Sequence, residues 1–204
     1  MRTLLAVLLL LGVLLLGIGA AFHPMLAGDA ADQLHLIAAT RYWRAIHLAM
    51  LTGSACLLAG IWVRQRDGTD ATPALTLISI GLALNAFDIG VMASAGTRMA
   101  ALFVAGNTTM PAVYEATHLI GVMTARFGNG VVALGALVLG WTEWATPGRR
   151  WAAILAWAAA VGGIVGVLVF DETSRGILAA VTLLCGWSAV TGALTLRAGN
   201  RSLH

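Results

Sequence analysis

The sequence has little charge, since aspartate, glutamate, lysine and arginine together make up only 10% of its 204 residues. A soluble globular domain has about 25% charged residues, so this shortage excludes an ordinary soluble fold. Lysine is missing altogether, and the twelve basic residues are arginines dispersed along the chain without interleaved aromatic residues. Nucleic-acid binding needs a basic patch, so we expect no nucleic-acid partner despite a net charge of +3.

Cysteine is also scarce, with only Cys56 and Cys185, each in the middle of an apolar run. The absence of a CxxC pair or an evenly spaced cysteine set excludes a zinc ribbon and a disulfide scaffold. We interpret both cysteines as small buried hydrophobic side chains. The sequence also lacks HExxH, GxSxG and paired-aspartate motifs, so no hydrolase or transferase activity is indicated.

Long hydrophobic runs dominate what is present: 59% of the residues are hydrophobic and the mean hydropathy is +0.88. A helix needs about 20 apolar residues to cross a bilayer, and six segments are long enough. They predict an all-α, polytopic membrane protein, one domain built as a bundle of six transmembrane helices. The predicted spans are about 4–22, 42–63, 74–95, 115–141, 151–170 and 176–196, with long connections at 23–41 and 96–114.

The distribution of arginine predicts the orientation of the bundle. Seven arginines lie in the N-terminus, the loops at 64–73 and 142–150 and the C-terminal tail, against four on the opposite side. The positive-inside rule then places both termini in the cytoplasm, and we expect a multi-pass protein of a bacterial inner membrane. Residues 1–21 also resemble a cleavable signal peptide, but their apolar run is long for one, so we expect them to be retained.

The two long connections differ in their predicted structure. Asp29 and Asp32 open the stretch 29–40, where acidic residues at a helix start predict an interfacial helix. The stretch 97–111 has polar residues around the apolar run Met99 to Ala105, which predicts a loop with a short helix. Both connections belong to the predicted outer side.

Polar pairs spaced three residues apart recur inside three predicted spans, and an arginine follows the third pair. A charge deep in a bilayer costs about 2.5–3.5 kcal/mol on insertion scales, so such residues usually face a partner, a cofactor or water. Residues three, four or seven apart share a helix face, so we expect these faces to converge on a pocket in the outer half of the membrane. The set comprises Arg44, His47, Asn85, Asp88, Glu115, His118 and Arg126.

Two cofactors would suit this pocket. His47 and His118 lie at equal depth on different helices and are candidate axial ligands of haem b. A transition-metal ion is the alternative, with His47, Asp88, Glu115 and His118 as ligands. Copper would also suit the histidines and methionines of the outer side, but methionine usually packs, and we interpret His23, His35 and His204 as exposed. That outer set is His23, Met25, His35, Met99 and Met110.

Charge balance supports a different interpretation, in which the pocket binds nothing. Asp88 would pair with Arg126 and Glu115 with Arg44, with Asn85 as a further polar partner. The protein would then be a non-catalytic accessory subunit that contacts lipid and other membrane subunits. A small-solute or proton transporter is a further alternative, because acids and histidines inside membrane helices mark ion paths.

Overall fold

A computed structural model of the protein describes residues 1–66, 71–169 and 179–201, with side chains to residue 197. This part of the chain is helical and contains no strand. Six helices are long and apolar enough to cross a membrane, which confirms the predicted all-α polytopic bundle. Arg175, His204 and a few residues at the facing ends of the last two predicted spans lie outside the described residues.

The helices follow the predicted spans closely except at one connection. The span that begins at Thr72 continues as one helix to Val104, through a π-helical turn. The short helix predicted within 97–111 is therefore present at Thr97–Val104, but it continues the span, so the predicted connection over 96–114 is too long. No proline lies between Pro73, in the first turn of this helix, and Pro111. Met99 and Ala100 are buried, so packing extends the helix. The elements are α1 (Arg2–Phe22), α2 (Ala30–Ala39), α3 (Trp43–Gln65), α4 (Thr72–Val91), the π turn (Met92–Gly96), α5 (Thr97–Val104), α6 (Met110–Ala145), α7 (Arg150–Val169) and α8 (Ala179–Arg201).

The six spanning helices pack as a closed ring. Going round it, α1 contacts α3, α3 contacts α4, and α4 contacts α6; α6 contacts α7, α7 contacts α8, and α8 returns to α1. Fully buried apolar side chains, among them Leu57, Ile78 and Val132, form the core inside the ring. Lipid is as apolar as these side chains, so close contact between helix backbones is a major source of stability in such a bundle.

The short helix α2 caps one end of the ring. The Asp29 carboxylate accepts hydrogen bonds of 2.9 Å from the backbone N–H groups of Ala31 and Asp32, and Asp32 returns the contact to Asp29 N–H. This capping box confirms the helix predicted from the two acids. Leu34 and Ile37 of α2 then join a second apolar cluster with residues of α3, α5 and α6.

The two ends of the bundle carry different polar groups. The end covered by α2 contains His23, which follows α1, and the first turns of α3 and α6; it is called the histidine end. The opposite end contains the last turns of α3 and α6, with Arg64 and Glu143, and is called the glutamate end. Among the residues that the structure describes, each end holds a cluster of polar side chains.

Candidate functional site

His47 lies one turn into α3 at the histidine end and is only 2% exposed. Its Nδ1 atom is 2.9 Å from the carbonyl oxygen of Trp43. A carbonyl oxygen can only accept, so Nδ1 carries the proton of the neutral imidazole and Nε2 presents its lone pair. The backbone of α3 therefore fixes both the tautomer of His47 and the direction of its free nitrogen.

His23 meets that nitrogen from the end of α1. The helix ends at Phe22 because Pro24 disfavours the helical conformation for the residue before it, and His23 is extended, with φ −73° and ψ 119°. The Nε2 atoms of His23 and His47 lie 3.3 Å apart, with the rings inclined at 64°. Our interpretation of His23 as an exposed loop histidine is wrong, because α1 packs along α3 and brings its last residues beside the first turn of α3.

Trp43 forms a wall beside both imidazoles. Its ring centroid lies 5.1 Å from that of His23 and 4.3 Å from that of His47. The indole Nε1–H donates a 3.1 Å hydrogen bond to the carbonyl oxygen of Met92, the first residue of the π turn. A π turn interrupts the regular helical hydrogen-bond ladder and is frequent at functional sites. Trp43 is thus fixed by its side chain and orients His47 through its main chain.

His118 has different neighbours. Its ring stacks on Tyr114, one turn earlier in α6, with centroids 5.0 Å apart. The Tyr114 hydroxyl donates a 2.9 Å hydrogen bond to Oε1 of Gln33 in α2. Over residues 1–66, 71–169 and 179–201, no hydrogen bond or ring contact joins His47 to His118. The haem hypothesis that pairs these two residues remains a prediction that this geometry does not support.

Asp88 faces α6 at Gly121, where the missing side chain makes room for the carboxylate; a Cβ atom there would overlap Oδ1. Oδ1 is buried and has no hydrogen-bond partner among the described residues. Arg126 does not pair with Asp88 in that part of the chain. Its Nε and Nη2 atoms instead donate to the carbonyl oxygen of Val167 in α7, at 3.0 and 2.6 Å.

Asn85 pairs with an amide rather than with a charge. Nδ2 of Asn129 donates a 3.1 Å hydrogen bond to Oδ1 of Asn85, and both side chains are buried between α4 and α6. Each amide also donates to a carbonyl oxygen of its own helix, so both are held rigidly. Next to this pair, Gly81 and Gly128 let the backbones of α4 and α6 approach each other closely.

Arg44 and Glu115 are exposed and do not join a pocket. Each lies beside a buried aromatic residue in the first turns of its helix, and long charged side chains there can extend to the membrane surface. The four predicted metal ligands are not assembled, since no group of three or more histidine, cysteine, aspartate or glutamate side chains placed to hold a metal occurs in the described chain. Of the four predicted metal ligands, His47 is in contact with another imidazole, that of His23.

The glutamate end holds an ion cluster that we did not predict. Glu143 is 1% exposed and accepts hydrogen bonds from Arg64 at 2.5 Å, from Arg149, and from the indole of Trp187 at 3.2 Å. Arg149 also donates to the Thr191 hydroxyl at 3.0 Å. Residues 142–150 are predicted to form a loop, but α6 continues to Ala145 and buries Glu143. The signal in the sequence is that Glu143 is an acid on the arginine-rich side of the predicted bundle.

No protein-family model, curated protein or solved structure matches this chain. The two polar clusters differ in the way their atoms are satisfied. Both carboxylate oxygens of Glu143 accept from arginine, which is typical of a structural ion pair. His47, in contrast, accepts at Nε2 a hydrogen bond from Nε2–H of His23, a contact in which a cation could replace the shared proton.

Proposed function

We propose that this integral membrane protein binds a transition-metal ion between His23 and His47 at the histidine end. The observation that carries the proposal is the 3.3 Å separation of the two Nε2 atoms. Metal–nitrogen bonds of about 2.0–2.1 Å at a tetrahedral angle hold two ligand nitrogens about 3.3–3.4 Å apart. The two imidazoles are therefore spaced to share one ion with little movement of either ring.

The surroundings of His47 support the same function. Metal-bound histidines usually donate their other ring N–H to a carbonyl or carboxylate, as Nδ1 of His47 does to Trp43. Imidazole nitrogens suit zinc, copper, iron and nickel.

We further propose that the metal site faces the outer side of a bacterial inner membrane. The arginine bias favours a cytoplasmic glutamate end, since Arg64 and Arg149 belong to the arginine-rich side. His23 and His47 would then receive the ion from the periplasmic side, with lipid around the ring of helices.

Metal content of purified variants tests this function. His23→Ala and His47→Ala each remove one of the two ligands, and we expect each to lower metal affinity by more than about tenfold, because loss of an outer-shell partner alone costs about 10–100-fold. The measurement is metal bound per chain after copper(I) or zinc(II) loading in detergent and removal of excess ion. Thermal unfolding of the same samples shows whether each variant is folded.

His118→Ala is the matched control, because His118 is also a partly buried histidine of the histidine end but contacts Tyr114. We expect it to bind metal like the wild type. Unchanged metal content in both His23→Ala and His47→Ala overturns the proposal. If His118→Ala and His47→Ala lose bound metal but His23→Ala keeps it, the ligands are instead His47 and His118, the pair predicted from the sequence.

Asp88 supports a second candidate function, proton uptake within the membrane. Its Oδ1 atom is buried without a hydrogen-bond partner in the described structure, and an unpaired carboxylate in lipid is costly unless it takes a proton or a cation. We expect Asp88→Asn to abolish any proton flux into proteoliposomes that contain a pH-sensitive dye. Gly90→Ala, a change at an open position on the same helix, is the control. Equal flux in Asp88→Asn and the wild type rules out this role.

A further inference from the structure

A groove of about 330 Å³ lies on the outside of the ring where α1 meets α3 at the histidine end. Small residues form its floor. A Cβ atom at Gly19 would lie 3.2 Å from the carbonyl oxygen of Ile46, so the missing side chain lets α1 lie close against α3. Ala45 and Ala49 add only methyl groups on the side of α3. This depression is called the α1/α3 groove.

Aromatic side chains stand on both sides of the α1/α3 groove. Phe22, at the end of α1, is 71% exposed, and Tyr42, at the N-terminus of α3, is 61% exposed. From Tyr42 to Ala49 the groove follows α3 for about 10 Å, at 1.5 Å per residue. Both helices are membrane spans, so the medium beside the groove is hydrocarbon. A lipid acyl chain therefore has the polarity and the location to fill it.

Arg41 lies at the mouth of the groove, between Thr40 and Tyr42 in the chain, which both line it. The Cζ atom of Arg41 is 5.3 Å from the centroid of the Tyr42 ring, and this cation–π contact holds the guanidinium group beside the groove. Arg41 is exposed, and within the described ranges no acidic side chain forms an ion pair with it. Its N–H groups are thus available to an anion at the mouth of the groove.

The position of Arg41 also runs against the arginine bias of the sequence. It belongs to the side with four arginines, whereas the opposite side has seven. Arginine is disfavoured on the arginine-poor side of a membrane protein, so its presence there, beside an apolar groove, favours a local anionic partner. Arginine binds phosphate through two parallel N–H···O hydrogen bonds, which are stronger than bonds between neutral groups.

We propose that the α1/α3 groove binds an anionic phospholipid, with an acyl chain between Phe22 and Tyr42 and the phosphate on Arg41. Small-molecule sites are commonly apolar with a few polar groups that fix the orientation of the ligand, as here. Basic groups beside membrane helices favour anionic headgroups. A zwitterionic lipid has the same chains, but its cationic group offsets the attraction of its phosphate to Arg41. The groove is therefore expected to select lipids by the charge of the headgroup.

Native mass spectrometry of the full-length protein tests this selectivity. The protein in detergent is offered equal amounts of phosphatidylglycerol and phosphatidylcholine with identical acyl chains. We expect the wild type to retain phosphatidylglycerol about fivefold better, because one arginine near an anionic headgroup contributes about that factor. Arg41→Gln should retain the two lipids equally. Equal retention of the two lipids by the wild type overturns the proposal.

Arg44→Gln is the matched control for Arg41→Gln. Arg44 is also exposed, but it lies about 200° around α3 from Tyr42 and does not contact that ring in the described structure. We expect Arg44→Gln to keep the wild-type preference for phosphatidylglycerol. A preference that falls equally in Arg41→Gln and Arg44→Gln would come from general surface charge and would overturn the site at Arg41.

Ala49→Phe tests the place of the acyl chain, because a phenyl group at the floor would fill the groove. We expect this variant to retain less of both lipids. Leu48→Phe is its control, since Leu48 is exposed beside Ala49 but does not line the groove. Wild-type lipid retention in a folded Ala49→Phe, checked by circular dichroism, overturns the groove as the binding site. Arg41→Gln changes an exposed side chain, so the test of selectivity stands even where Ala49→Phe does not fold.

Discussion

Glu143→Gln is expected to lower the free energy of unfolding by about 3 kcal/mol, because it leaves two arginine side chains at the glutamate end without their shared carboxylate. Removing one partner of a buried ion pair costs about 3–5 kcal/mol. We expect the lower figure, since the side chains of Arg64 and Arg149 keep 12% and 19% of their exposure. Unfolding in mixed micelles, followed by circular dichroism, measures the change.

Glu115→Gln is the matched control for this prediction. It makes the same substitution in the same helix, but Glu115 is exposed near the histidine end. We expect its free energy of unfolding to equal that of the wild type, and metal binding to be unchanged in both variants. Equal stabilities of Glu143→Gln and Glu115→Gln would mean that the ion cluster does not hold α3, α6 and α8 together.

Gly128→Ala is expected to push α4 and α6 apart. Its Cβ atom would lie 2.7 Å from the carbonyl oxygen of Gly81 and 2.8 Å from Nδ2 of Asn85. Both neighbours are fixed, one as helix backbone and the other by its hydrogen bonds, so α4 and α6 must move apart. Overpacking of this kind costs up to about 3 kcal/mol, and it also strains the bond between Asn85 and Asn129.

Gly130→Ala separates this effect from any general effect of alanine in α6. Nothing lies within 4 Å of a Cβ atom at Gly130. Alanine has a helix propensity about 1 kcal/mol better than glycine, so we expect Gly130→Ala to be neutral or slightly stabilising. Loss of stability in Gly130→Ala equal to that in Gly128→Ala would refute the close approach of α4 and α6.

The sequence was sufficient for the spans and for α2, because both depend on local properties. Apolar length alone identifies a membrane helix, and Asp29 with Asp32 identifies a capped helix start. It was insufficient for the continuation of α4 through the π turn. There, burial of Met99 and Ala100 against neighbouring helices decides the structure, and no local pattern reports that burial.

The candidate site was only half predictable. His47 could be singled out because a histidine in an apolar helix needs a polar partner. Its partner, His23, lies outside every predicted span, and the contact arises from the packing of α1 on α3. The exposure of Arg44 and Glu115 depends on how each helix is rotated about its own axis within the ring. The spacing of polar residues along a helix does not fix that rotation closely enough to separate a buried position from its exposed neighbour.

X-ray absorption spectroscopy at the edge of the bound metal tests the central claim most directly, because imidazole ligands give a distinctive scattering pattern. We predict two imidazole ligands in the wild type, and fewer in His23→Ala and in His47→Ala under loading conditions that keep the ion bound. His118→Ala should give the wild-type spectrum. A spectrum without imidazole scattering, or one that neither His23→Ala nor His47→Ala changes, would contradict a metal site shared by His23 and His47.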